Sequence, residues 1–147
     1  LGSLMTENVL WDLMLWAAMI SQQPMPDALP EIQYVSNEFI QEYFCVSVDC
    51  HIDAFYVPHS YDSINGKTVY IKEAFSSVKN VYVASIIVHE FTHYLQHMKG
   101  AISPDITCSQ WHDNERQAYR AQALFLKKNR AVVYVNRQFD YECTHDG

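Results

Sequence analysis

The strongest constraint on how this chain can fold is a helical pattern that begins at about Val83 and stops at Gly100. Within it, apolar side chains recur every three or four residues, which is the spacing that places them on one face of an α-helix: Ile87, Phe91, Leu95 and Met98. Glycine is a typical residue for ending such a helix. The pattern therefore predicts a long helix that buries one side against the rest of the protein.

The opposite side of this helix carries two histidines and a glutamate. His89 and His93 are four residues apart, so their imidazoles project from one face, about 40° apart around the axis. Two imidazoles placed in this way can bind a single metal ion. Glu90 lies between them on the same side, and in sites with the H-E-x-x-H pattern this carboxylate polarises the attacking water instead of binding the metal.

A second helix is predicted from about Asp113, a plausible N-cap, to Lys128, because basic residues gather at its end, where the helix dipole favours them. Glu115 lies near the start of this helix and can supply a third metal ligand. Ala118 follows one turn later on the same face, and its small side chain lets the two helices approach closely. The three ligands can then converge on one ion.

This arrangement, His89-Glu90-x-x-His93 followed by a helix-borne Glu115, resembles the gluzincin group of metallopeptidases. The resemblance covers about residues 54–128. It implies one Zn2+ per chain, bound by His89, His93 and Glu115, and peptide-bond hydrolysis in which Glu90 is the general base. Two histidines and a carboxylate with an open position favour a catalytic site over a closed structural one, although iron and manganese also suit this set.

One departure from the resemblance concerns the orientation of His89. Thermolysin-like enzymes place a carboxylate one turn after the glutamate ligand, and this chain has none one turn after Glu115. Asp113, Gln122 or a backbone carbonyl must therefore orient the imidazole of His89.

Three further polar side chains lie close to the predicted ligands in the sequence. Tyr119 is one turn after Glu115 and His112 is one turn before it. Either can donate a hydrogen bond to the oxyanion of a tetrahedral intermediate, and Tyr119 is the preferred candidate. His97, a further turn along the ligand face, is expected to be a solvated histidine at the helix end, with contact to substrate as the alternative.

The other segments of the chain predict an α+β fold. Periodicity and turn signals indicate, in order, a helix at about residues 4–21, a short strand at 31–35, a helical turn or two at 37–44, and strands at 54–57 and 68–71. Asn65-Gly66 is a turn signal before the last strand, so the last two strands are predicted to pair in antiparallel orientation.

The expected architecture is a minimal zincin-like fold. A small, mostly antiparallel sheet would pack on the active-site helix, with the Glu115 helix crossing beneath it. The strand at residues 68–71 is expected to be the sheet edge that pairs with an extended substrate. At 147 residues the chain is predicted to form a single domain.

Charge and hydropathy exclude some classes of partner. The net charge of -7 and the scattering of the 10 Lys and Arg argue against nucleic acid. The most apolar stretch, Val9–Ile20, is shorter than the roughly 20 residues of a bilayer-spanning helix and contains Asp12. The expected partner is a peptide or protein substrate, and the oligomeric state is left open.

The cysteines bear on the cellular compartment. Four cysteines form an even set, which predicts two disulfides in a secreted or periplasmic protein. The favoured pairs are Cys45–Cys50 and Cys108–Cys143, because the first two lie on one short loop. The alternative is a cytoplasmic protein with four free thiols.

Two other interpretations of the H-E-x-x-H pattern stay open. The chain could bind zinc without catalysis and act in binding or sensing, or its histidines could be purely structural. Metal analysis distinguishes purely structural histidines, which predict no bound metal, from the other two interpretations. A test of activity distinguishes a zinc-binding module from a peptidase.

Overall fold

The computed structural model describes residues 6–45, 52–76 and 80–131. Within these ranges the regular elements are α1 (Glu7–Ser21), β1 (Glu31–Val35), α2 (Asn37–Phe44), β2 (Ala54–Val57), β3 (Thr68–Lys72), a 3-10 turn (Glu73–Phe75), α3 (Val81–Met98) and α4 (Cys108–Lys128). The helices pack on a small sheet, so the predicted α+β class is confirmed.

The sheet has three strands in the order β1-β3-β2. The antiparallel pairing of β2 with β3 is confirmed, with Tyr56 opposite Val69. On its other side β3 pairs with β1 in parallel orientation, so the sheet is mixed where a mostly antiparallel one was expected. The parallel pair arises because the chain returns from β1 to β3 through a crossover that includes α2 and β2.

The prediction that residues 68–71 form a sheet edge is wrong, because β3 is the central strand. Its residues Thr68 to Ile71 are all buried. Val69 and Ile71 face the main core, whereas Tyr70 faces a smaller cluster in which the ring of Phe39 from α2 stacks on it at 5.5 Å. An uninterrupted apolar run of this kind is typical of a strand that is covered on both faces.

α3 lies at the centre of the fold. Its N-cap is Asn80, whose side-chain oxygen accepts a hydrogen bond from the backbone N–H of Val83 at 2.9 Å. Every residue from Ser85 to Gln96 is buried, so the helix is enclosed on its polar side as well as on its apolar side. Met98, predicted on the buried face, is 42% exposed because it lies in the last turn. The predicted stop is confirmed by Gly100, which has a φ of 87°.

The predicted start of α4 at Asp113 is wrong. The helix begins at Cys108, and its N-cap is Thr107. The Thr107 hydroxyl accepts from the backbone N–H of Gln110 at 3.1 Å, and the Gln110 side chain accepts from the Thr107 N–H at 3.0 Å. This capping box satisfies two backbone N–H groups at once, so it stabilises the helix start more than a single Asp N-cap would. Asp113 instead pairs with Arg116 on the exposed face of the helix.

α1 packs on α3 through its buried residues Leu13, Met14, Ala17 and Ala18. Thr6 caps this helix, and the predicted start at about residue 4 lies outside the described residues. Among the helices of the described ranges, none is long and apolar enough to cross a membrane.

The two described cysteines, Cys45 and Cys108, are disulfide-bonded. Cys50 and Cys143 lie outside the described residues. The pairing Cys45–Cys50 and Cys108–Cys143 therefore stays a prediction.

Candidate metal centre

The structure brings together the three predicted metal ligands from two helices. His89 and His93 come from α3 and Glu115 from α4, and their ligand atoms all lie within 4.8 Å of one another. The Nε2 atoms of His89 and His93 are 3.2 and 2.5 Å from Oε1 of Glu115. The two histidines are buried and the Glu115 side chain is 13% exposed. This group could hold a metal ion.

The far side of each imidazole is held by a glutamine. Nδ1 of His89 is 3.1 Å from Oε1 of Gln122, and Nδ1 of His93 is 2.8 Å from Oε1 of Gln96. The amide nitrogen of Gln122 donates to the hydroxyl of Ser85, and that of Gln96 donates to the carbonyl of Asn114. Each glutamine therefore presents its oxygen to the histidine.

An oxygen acceptor at Nδ1 requires a proton on Nδ1. In a neutral imidazole this leaves the lone pair on Nε2, the atom that faces the ligand cluster. Partners of this kind fix both the tautomer and the ring orientation of a metal-binding histidine. Of the three candidates for orienting His89, the structure selects Gln122, since Asp113 pairs with Arg116.

Sequence reasoning missed Gln96, although its position carried a signal. It lies three residues after His93 on the same helix, which is within reach of the imidazole Nδ1. Its amide also approaches the side-chain oxygen of Gln117 at 3.3 Å. Gln96 thus links the orientation of His93 to the helix that carries Glu115.

The donor chemistry, two imidazoles and a carboxylate, is of the kind that binds zinc, and one donor separation already suits a tetrahedral site. Metal–ligand bonds of about 2.0–2.1 Å place neighbouring donor atoms of a tetrahedral zinc site about 3.3 Å apart. The His89–Glu115 separation of 3.2 Å already matches this value. The His93–Glu115 separation of 2.5 Å is a direct hydrogen bond, so these two side chains would move slightly apart around an ion.

Charge explains the close contact between His93 and Glu115. Burial would raise the pKa of Glu115, but the charge of His93 and hydrogen bonds from both histidines outweigh it and hold the pKa below its usual range. Burial would lower the pKa of His93, yet Glu115 raises it to about 9. A proton shared in this way marks a position where a cation is stabilised, and a metal ion would replace it.

Glu90 is buried beside the cluster without being part of it. Its Oε1 accepts a hydrogen bond from the backbone N–H of Tyr56 on β2 at 3.0 Å. Burial raises the pKa of Glu90, and the neighbouring charges of His89 and His93 oppose that rise. The strand β2 therefore holds this carboxylate apart from Glu115, as a group that is separate from the ligands.

Of the two candidate oxyanion donors, Tyr119 lies against a metal ligand. It is buried, and its ring lies edge-on to that of His89 with centroids 4.4 Å apart. His112 lies beside Arg116, with a nitrogen–nitrogen distance of 3.5 Å.

The expectation that His97 is solvated is wrong. Its Nδ1 forms a hydrogen bond of 2.7 Å with the hydroxyl of Tyr56, and its ring contacts that of His59 at 4.8 Å. Burial is the main cause that lowers the pKa of His97, and the neighbouring His59 and Lys67 act in the same direction. The helix does not end in solvent at this residue, because β2 and the segment after it lie against it.

Trp111 is a second residue that sequence reasoning missed. Its ring stacks on that of His93, with centroids 5.2 Å apart and an angle of 14° between the planes. It lies on α4 one turn before Glu115, within the part of the helix that the misplaced start had left out.

No protein-family model, curated protein or solved structure matches the chain. The geometry of the site is therefore the basis on which a function can be assigned.

Proposed function

We propose that this protein is a zinc-dependent peptidase of the gluzincin type. Its single Zn2+ would be held by His89 Nε2, His93 Nε2 and Glu115. The observation that carries the proposal is the arrangement of the side chains around the cluster. Both histidines have Nδ1 turned toward a glutamine and Nε2 toward Glu115, while Glu90 is held outside the ligand set by Tyr56.

The chemistry of this arrangement is hydrolysis by an activated water. A bound zinc ion would supply Lewis acidity, which lowers the pKa of water toward about 7 and stabilises negative charge on the substrate oxygen. Glu90 accepts the proton of the attacking water and returns it to the leaving amine. Tyr119, packed against His89, donates a hydrogen bond to the developing oxyanion.

The extended substrate is proposed to lie along β2. This strand is an edge of the sheet and its Tyr56 holds Glu90 through a backbone hydrogen bond. A peptide bound at this edge would have its backbone beside the general base. The central position of β3 leaves it without a free side for this role.

Replacement of Glu90 tests the mechanism. Glu90→Gln keeps the shape of the side chain but removes its basicity, so cleavage of a peptide library should fall by about two to four orders of magnitude while zinc content stays at about one per chain. Glu42→Gln, an exposed change on α2, is the matched control and should leave cleavage unchanged. Loss of zinc from Glu90→Gln would indicate that Glu90 is a metal ligand. Undiminished cleavage would indicate that another residue is the general base.

A zinc-binding module without catalysis is the second candidate function. It is favoured by the burial of the two histidines of the cluster, which are 6% and 3% exposed, and of the adjacent Glu90, which is 7% exposed. The zinc-loaded protein distinguishes the two functions. Cleavage of any member of a broad peptide library supports the peptidase, and tight zinc binding without cleavage supports the module.

We further propose a secreted or periplasmic location, which the disulfide bonding of Cys45 and Cys108 supports. Two disulfides would make the unreduced protein about 4 Da lighter than the reduced one in an intact-mass measurement. Four thiols available to alkylation in the unreduced, denatured protein would instead indicate the cytoplasm.

A further inference from the structure

A groove of about 630 Å3 lies away from the metal centre, between the start of α1, the connector before β1, and β1 itself. We call it the α1–β1 groove. Its lining residues are Glu7, Leu10, Trp11, Asp27, Ala28, Leu29, Pro30, Glu31, Ile32 and Tyr34. None of the metal ligands lines it, and a volume of this size is in the range of peptide and small-molecule sites.

One wall of the groove is β1, an edge strand of the sheet that the described residues form. The N–H of Glu31 donates to the carbonyl of Lys67 at 3.1 Å, which directs the peptide groups of Glu31 toward β3. In a parallel pair, alternate residues face the same neighbour, so those of Ile32 and Tyr34 point to the opposite side. No strand lies on that side among the described residues. An exposed strand edge of this kind is a template for an added strand.

The charge and apolar surface of the groove define what can pair there. Three carboxylates line it, from Glu7, Asp27 and Glu31, and all three residues are exposed. No lysine, arginine or histidine is among its lining residues. Trp11 and Tyr34 add partly buried aromatic rings. Carboxylates beside aromatic rings favour arginine and lysine side chains, whose apolar stems lie on the rings.

We propose that the α1–β1 groove binds an extended, basic peptide segment of a partner protein as an added strand on β1. The backbone of Ile32 and Tyr34 supplies the hydrogen bonds, and the three carboxylates select arginine or lysine at alternate positions. A second copy of this chain is the less favourable occupant. It would bring the same carboxylates of two molecules together, and each chain carries a net charge of -7.

The groove is firmly attached to the centre of the fold. The hydroxyl of Tyr94 donates to the carbonyl of Ala28 at 2.8 Å, so the connector that forms one wall is held against α3. The groove is thus formed before a ligand arrives, which reduces the entropic cost of binding. This binding does not depend on hydrolysis at the metal centre, and the proposal stands apart from the proposed function.

Titration calorimetry of the full zinc-loaded chain tests the proposal. The probe is a capped octapeptide in which arginine alternates with valine, and the expected result is saturation near one peptide per chain. Raising NaCl from about 50 to about 500 mM should weaken binding about tenfold, because salt screens exposed charges. The same isotherm is expected for Glu90→Gln, which excludes a signal from cleavage.

The control peptide has glutamate in place of arginine and should not bind. Absence of saturable binding by the arginine peptide overturns the proposal, as does equal binding of both peptides. Sedimentation measures self-association in the absence of peptide. The degree of association should be the same for the parent protein and for the Asp27→Asn, Glu31→Gln double variant. A dimer that this double variant strengthens would make a second copy the occupant and would overturn the proposal.

Variants separate the charges from the backbone. Asp27→Asn combined with Glu31→Gln should weaken binding of the arginine peptide about fivefold. Glu38→Gln combined with Glu42→Gln removes the same charge from α2, outside the groove, and should leave affinity within about twofold. Equal losses in the two double variants would mean that only net charge matters, and would overturn the assignment to the groove.

Ile32→Pro removes one edge N–H without breaking the ladder to β3, because that N–H points away from the sheet. It should weaken binding about fivefold, the value of one hydrogen bond, with an unchanged far-ultraviolet circular-dichroism spectrum as the measure of correct folding. Unchanged affinity in the folded variant would overturn the added-strand geometry.

Discussion

The candidate metal centre and the α1–β1 groove differ in how many of their polar groups form hydrogen bonds within the protein. At the candidate metal centre Gln96 and Gln122 bind the two histidines and donate onward to Asn114 and Ser85, and Oε1 of Glu115 lies within hydrogen-bond distance of both imidazoles. In the groove the peptide groups of the β1 edge have no strand partner among the described residues.

This difference predicts how each region should respond to change. A buried network in a low-dielectric environment binds its ligand strongly, and it loses much when one member is removed. An exposed edge with solvated carboxylates gains little from any single contact. Substitutions at the metal centre should therefore change metal binding by orders of magnitude, while those in the groove change peptide binding several-fold.

Removal of a ligand should give the largest effect. His93→Ala deletes one of the three proposed zinc ligands and leaves Glu115 without its closest partner, so tight zinc binding should be lost, a decrease of more than about a thousandfold. Elemental analysis of the purified variant measures it. His59→Ala is the matched control, since His59 is an exposed histidine outside the cluster, and it should keep about one zinc per chain. Full zinc occupancy in His93→Ala would refute the ligand assignment.

The pH dependence of zinc binding should be the next largest effect. In the metal-free protein the pKa of His93 is about 9, because Glu115 outweighs the opposing effect of burial. Zinc must displace that proton, so its apparent affinity should fall as the pH is lowered, by up to about tenfold per pH unit between pH 9 and 7. Calorimetry in buffers of different ionisation enthalpy should show about one proton released per zinc at pH 7. Zinc binding without proton release would contradict the charged pair.

The same charged pair should affect the stability of the metal-free fold with a defined sign. The raised pKa of His93 contributes stability that is complete below its ordinary value of 6.5 and is lost as the pH rises through about 9. The free energy of unfolding in urea should accordingly be higher at pH 6 than at pH 10 for the metal-free protein. A free energy that rises over this range would mean that His93 is not protonated in the fold.

The glutamines should give an intermediate effect. Gln122→Leu keeps the approximate volume but removes the oxygen that orients His89, so zinc affinity should fall about 10- to 100-fold, the usual effect of losing a partner of a ligand. Gln33→Leu on the exposed side of β1 is the control and should have no effect on zinc. Competition with a chelator measures both. An unchanged affinity in Gln122→Leu would show that the tautomer of His89 is fixed by another group.

The site was easier to predict than the sheet because its spacing is local. His89 and His93 are one helical turn apart, and a helix that carries Glu115 needed only to pack beside them. The glutamine that orients His93 is equally local, but the spacing of Gln96 from His93 is also common for glutamines that contact no ligand. The strand order, in contrast, depends on tertiary pairing. The sequence of residues 68–71 is compatible with an edge strand or with a central strand. Only the pairing with β1 shows that the strand is central.

The start of α4 shows a second kind of limit. Thr107 and Gln110 form a capping box, yet Asp113 is also an acceptable N-cap by residue type. Which of several suitable residues is used depends on where the chain turns after α3. Asn114 contributes to that turn, because its side chain donates to the carbonyl of Ala101 at 3.1 Å.

The smallest expected effects come from the two helix starts, and they test whether the regions are independent. Thr107→Ala removes the hydroxyl that accepts from the backbone N–H of Gln110 at the start of α4, and should lower the free energy of unfolding by about 1 kcal/mol. Thr6→Ala removes one bond of 3.3 Å to Val9 on α1 and should lower it by about 0.5 kcal/mol. Urea unfolding measures both values.

Each cap variant should affect ligand binding only in its own region. Glu7 directly follows Thr6, so fraying of α1 should weaken binding of the arginine peptide about twofold while zinc affinity stays constant. Glu115 lies two turns inside α4 and is held there by packing on α3, so Thr107→Ala should change neither ligand. Because both substitutions are threonine to alanine at an N-cap, each serves as the control for the other. A loss of zinc affinity in Thr6→Ala would show that the groove and the metal centre are coupled through α1 and α3.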